Sequence, residues 1–191
     1  MKNRKLVRLK NWNYSNFGYY FITFVTKYRI PWFGKLKNGI MVLSDYGKIA
    51  NELWMEIPNH ISDVVLDEFI IMPEHIHGIL FIPSESLSQV DVKRNLEKIP
   101  VAIGSFKSAV SRKIRLLGQT DFQWQKSYHD RIIRDEFALS NIRNYIINNP
   151  IRHYFRGKIP WGKSRWEQAC LFPTGLHPTI LIDSYKIRMA A

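Results

Sequence analysis

The stretch that decides the fold is "DVVLDEFIIMPEHIHGILFIP", residues 63–83. Two apolar, β-branched runs flank the short break Met72-Pro73-Glu74, which reads as a pair of antiparallel strands joined by a tight turn. The second run carries His75 and His77 one residue apart. Side chains at i and i+2 share a face of a strand, so the two imidazoles project together while Ile76, Gly78 and Leu80 point the other way. Neutral imidazoles placed side by side can chelate one divalent ion and leave coordination positions open, as a catalytic metal requires. The alternative is a pair of ordinary, partly buried histidines that need hydrogen-bond partners. Both readings stand on the pair alone.

Working outward, "GYYFITFVTKY" (18–28) has the composition of a further strand. Ser44 is placed to cap a helix in which Ile49, Leu53, Trp54 and Ile57 recur at helical spacing, after a short extended piece, and Pro58 is expected to close it. A second helix is expected over "VAIGSFKSAVSRKIRLLG", with Ile103, Phe106, Val110 and Ile114 on one face. A fourth strand is expected near 128–134. A third helix follows in "DEFALSNIRNYIINNP", with acids at its start, where the helix dipole favours them, and Pro150 at its end. The order β-α-β-β-α-β-α is that of an α+β, ferredoxin-like split βαβ plan: an antiparallel sheet with helices on one face, plus an added C-terminal helix.

The 191 residues suit a single domain. It is expected to carry a basic N-terminal arm (about 1–15), a polar insertion (about 84–99) and a basic, aromatic C-terminal tail (about 151–191). With 28 Lys+Arg against 16 Asp+Glu, the formal net charge is +12, which favours a polyanionic partner, nucleic acid before an anionic membrane surface. One cysteine rules out a disulfide framework and a cysteine-rich zinc site. No apolar run approaches the roughly 18 residues of a membrane span, and the N-terminus lacks the apolar core of a signal peptide. The expectation is a cytoplasmic protein without a membrane partner.

The last predicted helix places Tyr145 one turn before Asn149. A phenol can attack a phosphodiester and conserve the bond energy in a phosphotyrosyl link. Phenols ordinarily titrate near pH 10, about three units above neutrality, so such a nucleophile needs a nearby cation. Asn149 offers an amide oxygen as a third metal ligand. Equally, Tyr145 fits a core aromatic, Asn149 the end of a helix before Pro150, and Tyr128, close to His129 and Asp130, is a rival nucleophile.

"MPEHIHGIL" resembles the His-hydrophobic-His motif of the HUH endonuclease superfamily, and "YHDRIIRDEFALSNIRNYIINNP" resembles the C-terminal block of its single-tyrosine transposases. "RLKNWNYSNFGYYFITFVTKYR" and "GSFKSAVSRK" also resemble blocks of that group, so the similarity runs in order over roughly residues 6–152. The closer resemblance is to the REP-associated tyrosine transposases of bacteria. It implies Tyr145 as nucleophile and His75, His77 and Asn149 as ligands of Mg²⁺ or Mn²⁺, with no catalytic role for Tyr128. It further implies cleavage and rejoining of single-stranded DNA beside hairpins through a 5′-phosphotyrosine intermediate, by a monomer acting in cis ahead of a homodimer.

Candidate DNA contacts are Lys2, Arg4, Lys5 and Arg8 in the arm, Lys107 and Arg112 on the second helix, and Arg152 and Arg156 in the tail. The tail segment "IRHYFRGKIPWGKSRW" holds six bases counting His153, four aromatics and no acid. That suits backbone neutralisation and base stacking, and suits a solvated basic tail equally. Two other functions fit the same residues: a domesticated hairpin nucleic-acid-binding protein without transposition activity, and a metal-dependent nuclease giving ordinary hydrolysis products.

Overall fold

A computed structural model describes residues 12–84 and 97–155. The chain divides into two units, Met1–Tyr154 and Phe155–Ala191, and every described residue except Phe155 lies in the first. The expected arm residues Lys2, Arg4, Lys5 and Arg8, most of the polar insertion, and the tail from residue 156 onward, Arg156 included, lie outside the described residues.

Strands β1 (Gly18–Val25), β4 (Val65–Ile71), β5 (His75–Ile82) and β6 (His129–Ile133) form one antiparallel sheet in the order β4-β5-β1-β6. Helices α1 (Asp45–Met55) and α3 (Lys98–Leu116) provide the two crossovers, which completes the split βαβ arrangement. The fold is α+β and ferredoxin-like, as the element order predicts.

Alternation along β1 sorts its side chains into two cores. Tyr20, Ile22 and Phe24 are fully buried against the crossover helices, together with Trp54 of α1 and Ile103, Phe106, Val110 and Ile114 of α3. Tyr19, Phe21 and Thr23 face the other side of the sheet. There α4 (Glu136–Ile147) lays Leu139, Ile142 and Ile146 on Ile70, Met72, Ile79 and Ile133. The tyrosine-bearing helix therefore covers the face opposite the crossover helices.

Local expectations were corrected at several boundaries. β1 ends at Val25 rather than residue 28, because Tyr28 and Arg29 take positive φ in the 3₁₀ turn Lys27–Arg29. The extended piece before α1 is a two-stranded hairpin, β2 (Gly34–Lys37) with β3 (Ile40–Leu43), joined by Asn38 and Gly39. Both turn residues have positive φ, as a type I′ hairpin turn demands. Ser44 does cap α1, accepting from the Gly47 N–H at 3.1 Å.

Neither proline stops the chain's helical course. Pro58 lies in the first turn of a short helix α2 (Ile57–His60), and Pro150 is the second residue of α5 (Asn149–Phe155). A first-turn N–H has no intrahelical acceptor, so its loss in proline costs nothing there. Asn149 consequently opens a new helix rather than closing the one that carries Tyr145. α3 starts at Lys98, inside the expected insertion, with Ile99 fully buried and the Lys98 ammonium 2.7 Å from Asp63 Oδ2.

Candidate active site

β5 brings His75 and His77 onto the α4 face, and the β1–β5 register sets Thr23 directly opposite His77. Both histidines are buried, with 8% and 6% of their surface exposed, so each needs a polar partner. His77 Nδ1 lies 2.8 Å from Thr23 Oγ1. His75 Nδ1 lies 3.1 Å from Glu74 Oε1. Their rings stand 4.6 Å apart, centroid to centroid, in an edge-on arrangement. Burial pushes His77 down to about 3, with the neighbouring His75 adding to the effect and Glu74 opposing it. At neutral pH that imidazole is uncharged and keeps a lone pair for a ligand's role.

Glu74 gathers charge from three directions. Its Oε1 lies 3.4 Å from Arg29 Nη1, and His153 Nε2 of α5 stands 3.8 Å away. Burial alone would raise its carboxyl. The hydrogen bond from His75, backed by the electrostatic influence of the neighbouring His75 and His153 rings, outweighs this and holds it below the usual carboxylate range. The left-handed turn at Tyr28 and Arg29 is what aims the Arg29 guanidinium at this group.

α4 delivers the tyrosine. Its start is held by Asp135, whose side chain accepts from the Ala138 N–H at 2.7 Å. Tyr145 Oη reaches to 3.4 Å from His77 Nε2. Its ring packs edge-on against Phe21 and at 5.2 Å from the His77 ring. Above it sits Arg152, with Cζ 5.2 Å from the ring centroid. Phe21 also stacks on His77 at 5.4 Å, so imidazole and phenol share one aromatic wall.

The residues singled out from sequence separate into groups. His75, His77, Tyr145 and Arg152 come together on the α4 face. Asn149, 7% exposed, opens α5 immediately beyond the α4 cap. Tyr128 packs against the core on the other side of the sheet, and Asp130 accepts a hydrogen bond from Tyr14. Lys107 and Arg112 lie on α3, also on that opposite side, and line a groove with Ser108, Ser111 and Trp124. Lys107 is occupied there: its ammonium donates to Gln125 O at 2.9 Å and stands 5.7 Å from the Trp124 ring, and burial lowers its pKa.

Thr23, Glu74, Phe21 and Arg29 were not singled out from sequence. Glu74 stood within the quoted motif, but nothing local marks it as a partner of His75. Thr23 becomes visible only once the strand register is known.

The donor set fits a divalent ion on one specific ground. In both histidines the Nδ1 side is engaged by the protein, which leaves Nε2 directed away from its anchoring partner. Among the described residues no three His, Cys, Asp or Glu side chains are grouped to hold a metal, so a third ligand drawn from those residues would be of another kind. The amide of Asn149 is of that kind.

The architecture recurs in a solved REP-associated tyrosine transposase bound to a REP hairpin. The two share 16% identity and a TM-score of 0.52, over 89% of this chain and 97% of that one. The fold is that of a REP-associated tyrosine transposase. A Deinococcus radiodurans protein described as a candidate transposase is 18% identical, with a TM-score of 0.44 over 74% of this chain and 97% of that one. In sequence, an uncharacterized protein of Haemophilus influenzae is 36% identical over 164 residues, 78% of this chain and 89% of that protein. The chain belongs to one family with that Haemophilus influenzae protein. No model of a known protein family matches it.

Proposed function

We propose that the protein is a single-stranded DNA transposase or endonuclease that cuts and rejoins strands beside hairpins, with Tyr145 as nucleophile. The observation that carries this is the approach of Tyr145 Oη to 3.4 Å from His77 Nε2, with His75 beside it, all within one chain. A phenol, two neutral-capable imidazoles and a guanidinium meeting on a sheet face suit phosphoryl transfer better than hydrolysis by an activated water.

His75, His77 and Asn149 would hold Mg²⁺ or Mn²⁺, which when bound supplies Lewis-acid polarisation of the scissile phosphate. The chain's own residues do the rest. Before the ion binds, the Tyr145 hydroxyl faces the His77 Nε2 lone pair. Arg152, with its guanidinium over the ring, would favour the negative charge that develops on the attacking oxygen. Attack of Tyr145 Oη on phosphorus forms the O–P bond, breaks the bond to the 3′ oxygen, and leaves a free 3′-hydroxyl and a 5′-phosphotyrosine. Return attack by a 3′-hydroxyl restores the phosphodiester and releases the tyrosine. The meeting of nucleophile and histidines within one chain supports action in cis by a monomer.

The test is incubation with single-stranded hairpin DNA and Mg²⁺ or Mn²⁺, followed by a denaturing gel. Wild type is expected to form a covalent protein–DNA adduct, Tyr145→Phe none while still binding the hairpin, and the double change His75→Ala, His77→Ala none. An adduct that persists in Tyr145→Phe overturns the assignment of the nucleophile. Free hydrolysis products without an adduct would indicate a nuclease, and hairpin binding without cleavage by wild type would indicate a binding protein.

A further inference from the structure

The two histidines owe their orientation to residues that lie behind them. We infer that Thr23 and Glu74 are positioning residues that fix the tautomer of His77 and His75, so that both imidazoles carry their proton on Nδ1 and present a bare Nε2 to a divalent cation. This rests on the functional reading above.

For His75 the argument is one of donor and acceptor types. Glu74 is a carboxylate at neutral pH and can only accept, and its Oε1 stands 3.1 Å from His75 Nδ1. Nδ1 of that imidazole therefore carries a proton, and in the neutral ring Nε2 keeps its lone pair. Arg29 and His153 hold the same carboxylate oxygen from two further elements, so its position does not depend on His75 alone.

For His77 the argument comes from the opposite edge of the ring. Nε2 faces the Tyr145 hydroxyl, whose only proton can be donated to it, and Nδ1 faces Thr23 Oγ1 at 2.8 Å. Both hydroxyls can donate or accept, so either tautomer satisfies the two contacts. The form with Nδ1–H donating to the threonine oxygen is the one that leaves Nε2 bare for the ion's approach. Thr23 is a β-branched residue in a strand, with restricted χ1, so its hydroxyl is held where the register puts it. Phe21, stacked on the same ring, restricts imidazole rotation.

Two readouts test this without relying on strand transfer. The first is the ring ¹⁵N spectrum of histidine-labelled full-length protein without metal. Both His75 and His77 are expected as Nδ1–H tautomers, and an Nε2–H tautomer at either overturns the assignment for that residue. The second is Mn²⁺ affinity, followed by the paramagnetic resonance signal of free Mn²⁺. Thr23→Val and Glu74→Ala are each expected to weaken binding about 10- to 100-fold, the usual cost of losing a ligand's outer partner. Thr23→Ser and Glu74→Gln, which keep an acceptor, are expected to restore most of it. Wild-type affinity in Thr23→Val and Glu74→Ala, with affinity lost in His77→Ala, would overturn positioning while sparing the metal site. Affinity unchanged in both His75→Ala and His77→Ala would instead remove the metal reading itself. Thermal melting of each variant identifies any that fail to fold, and for those the Ser or Gln variant gives the answer.

Discussion

A single missing Cβ next to the histidines shapes the strand that carries them. A Cβ built on Gly78 would lie 2.3 Å from Trp54 Cζ2 and 2.8 Å from Cη2. Trp54 cannot retreat, because it is fully buried and packed against Phe24, Phe69 and Phe106. Gly78→Ala should therefore destabilise the fold by about 1–3 kcal/mol through overpacking. A lowered urea midpoint with an unchanged slope would show it, and a wild-type midpoint would mean that α1 shifts freely. At this scale the sequence was partly legible. The His-Ile-His alternation gave the shared face, and Gly78 could be assigned to the other face. That an indole fills the space above Gly78 depends on a crossover helix docking from elsewhere in the chain, which no local pattern encodes.

At the scale of elements, an ion pair with the edge strand β4 adds to the apolar packing that seats the tyrosine helix on the sheet. Arg143, two residues before Tyr145, donates through Nε to Asp67 Oδ1 at 2.9 Å and through Nη2 to Oδ2. The Asp67-Glu68 pair falls where the β4–β5 register shifts, and such an irregularity re-aims side chains. Burial would raise the Asp67 carboxyl, but the Arg143 hydrogen bonds, the Glu68 N–H and the guanidinium charge together lower it. A carboxyl depressed in the folded state contributes stability that is present above its unfolded pKa of about 3.9 and lost as pH falls through the folded value. Asp67→Asn should thus cost about 1–2 kcal/mol near neutrality, discounted because Arg143 is partly exposed. Its acid unfolding limb below about pH 4 should be shallower than that of wild type. Equal slopes in a pH series of melts would exclude the pair as a contributor. The helix itself was legible from the acids at its start, one of which, Asp135, proves to be its cap. The hairpin β2–β3 was signalled by Asn38-Gly39, a strong turn pair, although only its extended character was read from the sequence. The two prolines misled for a physical reason: a residue that cannot continue a helix is well suited to begin one.

The whole molecule carries a formal charge of +12, spread over 28 bases and 16 acids. If phosphates are its partner, binding to a hairpin oligonucleotide should release condensed counterions and weaken by orders of magnitude between about 50 and about 200 mM salt. Fluorescence anisotropy across that range checks it, and a flat response would argue against a nucleic-acid partner. Among the described residues, no helix is long and apolar enough to cross a membrane.

Composition gave the strong positive charge, and the sequence by itself determined the inventory: two strands around a tight turn, histidines sharing a face, and a helix bearing Tyr145. These follow from periodicities of two and 3.6 residues, which are local and survive in a single chain. Only tertiary structure decided that Tyr145 meets His77 on one face of the sheet, that Tyr128 lies on the far side, and that Thr23 and Glu74 stand behind the imidazoles. Those are consequences of strand register and helix docking, set by side-chain packing between residues as far apart as 23 and 77, or 77 and 145.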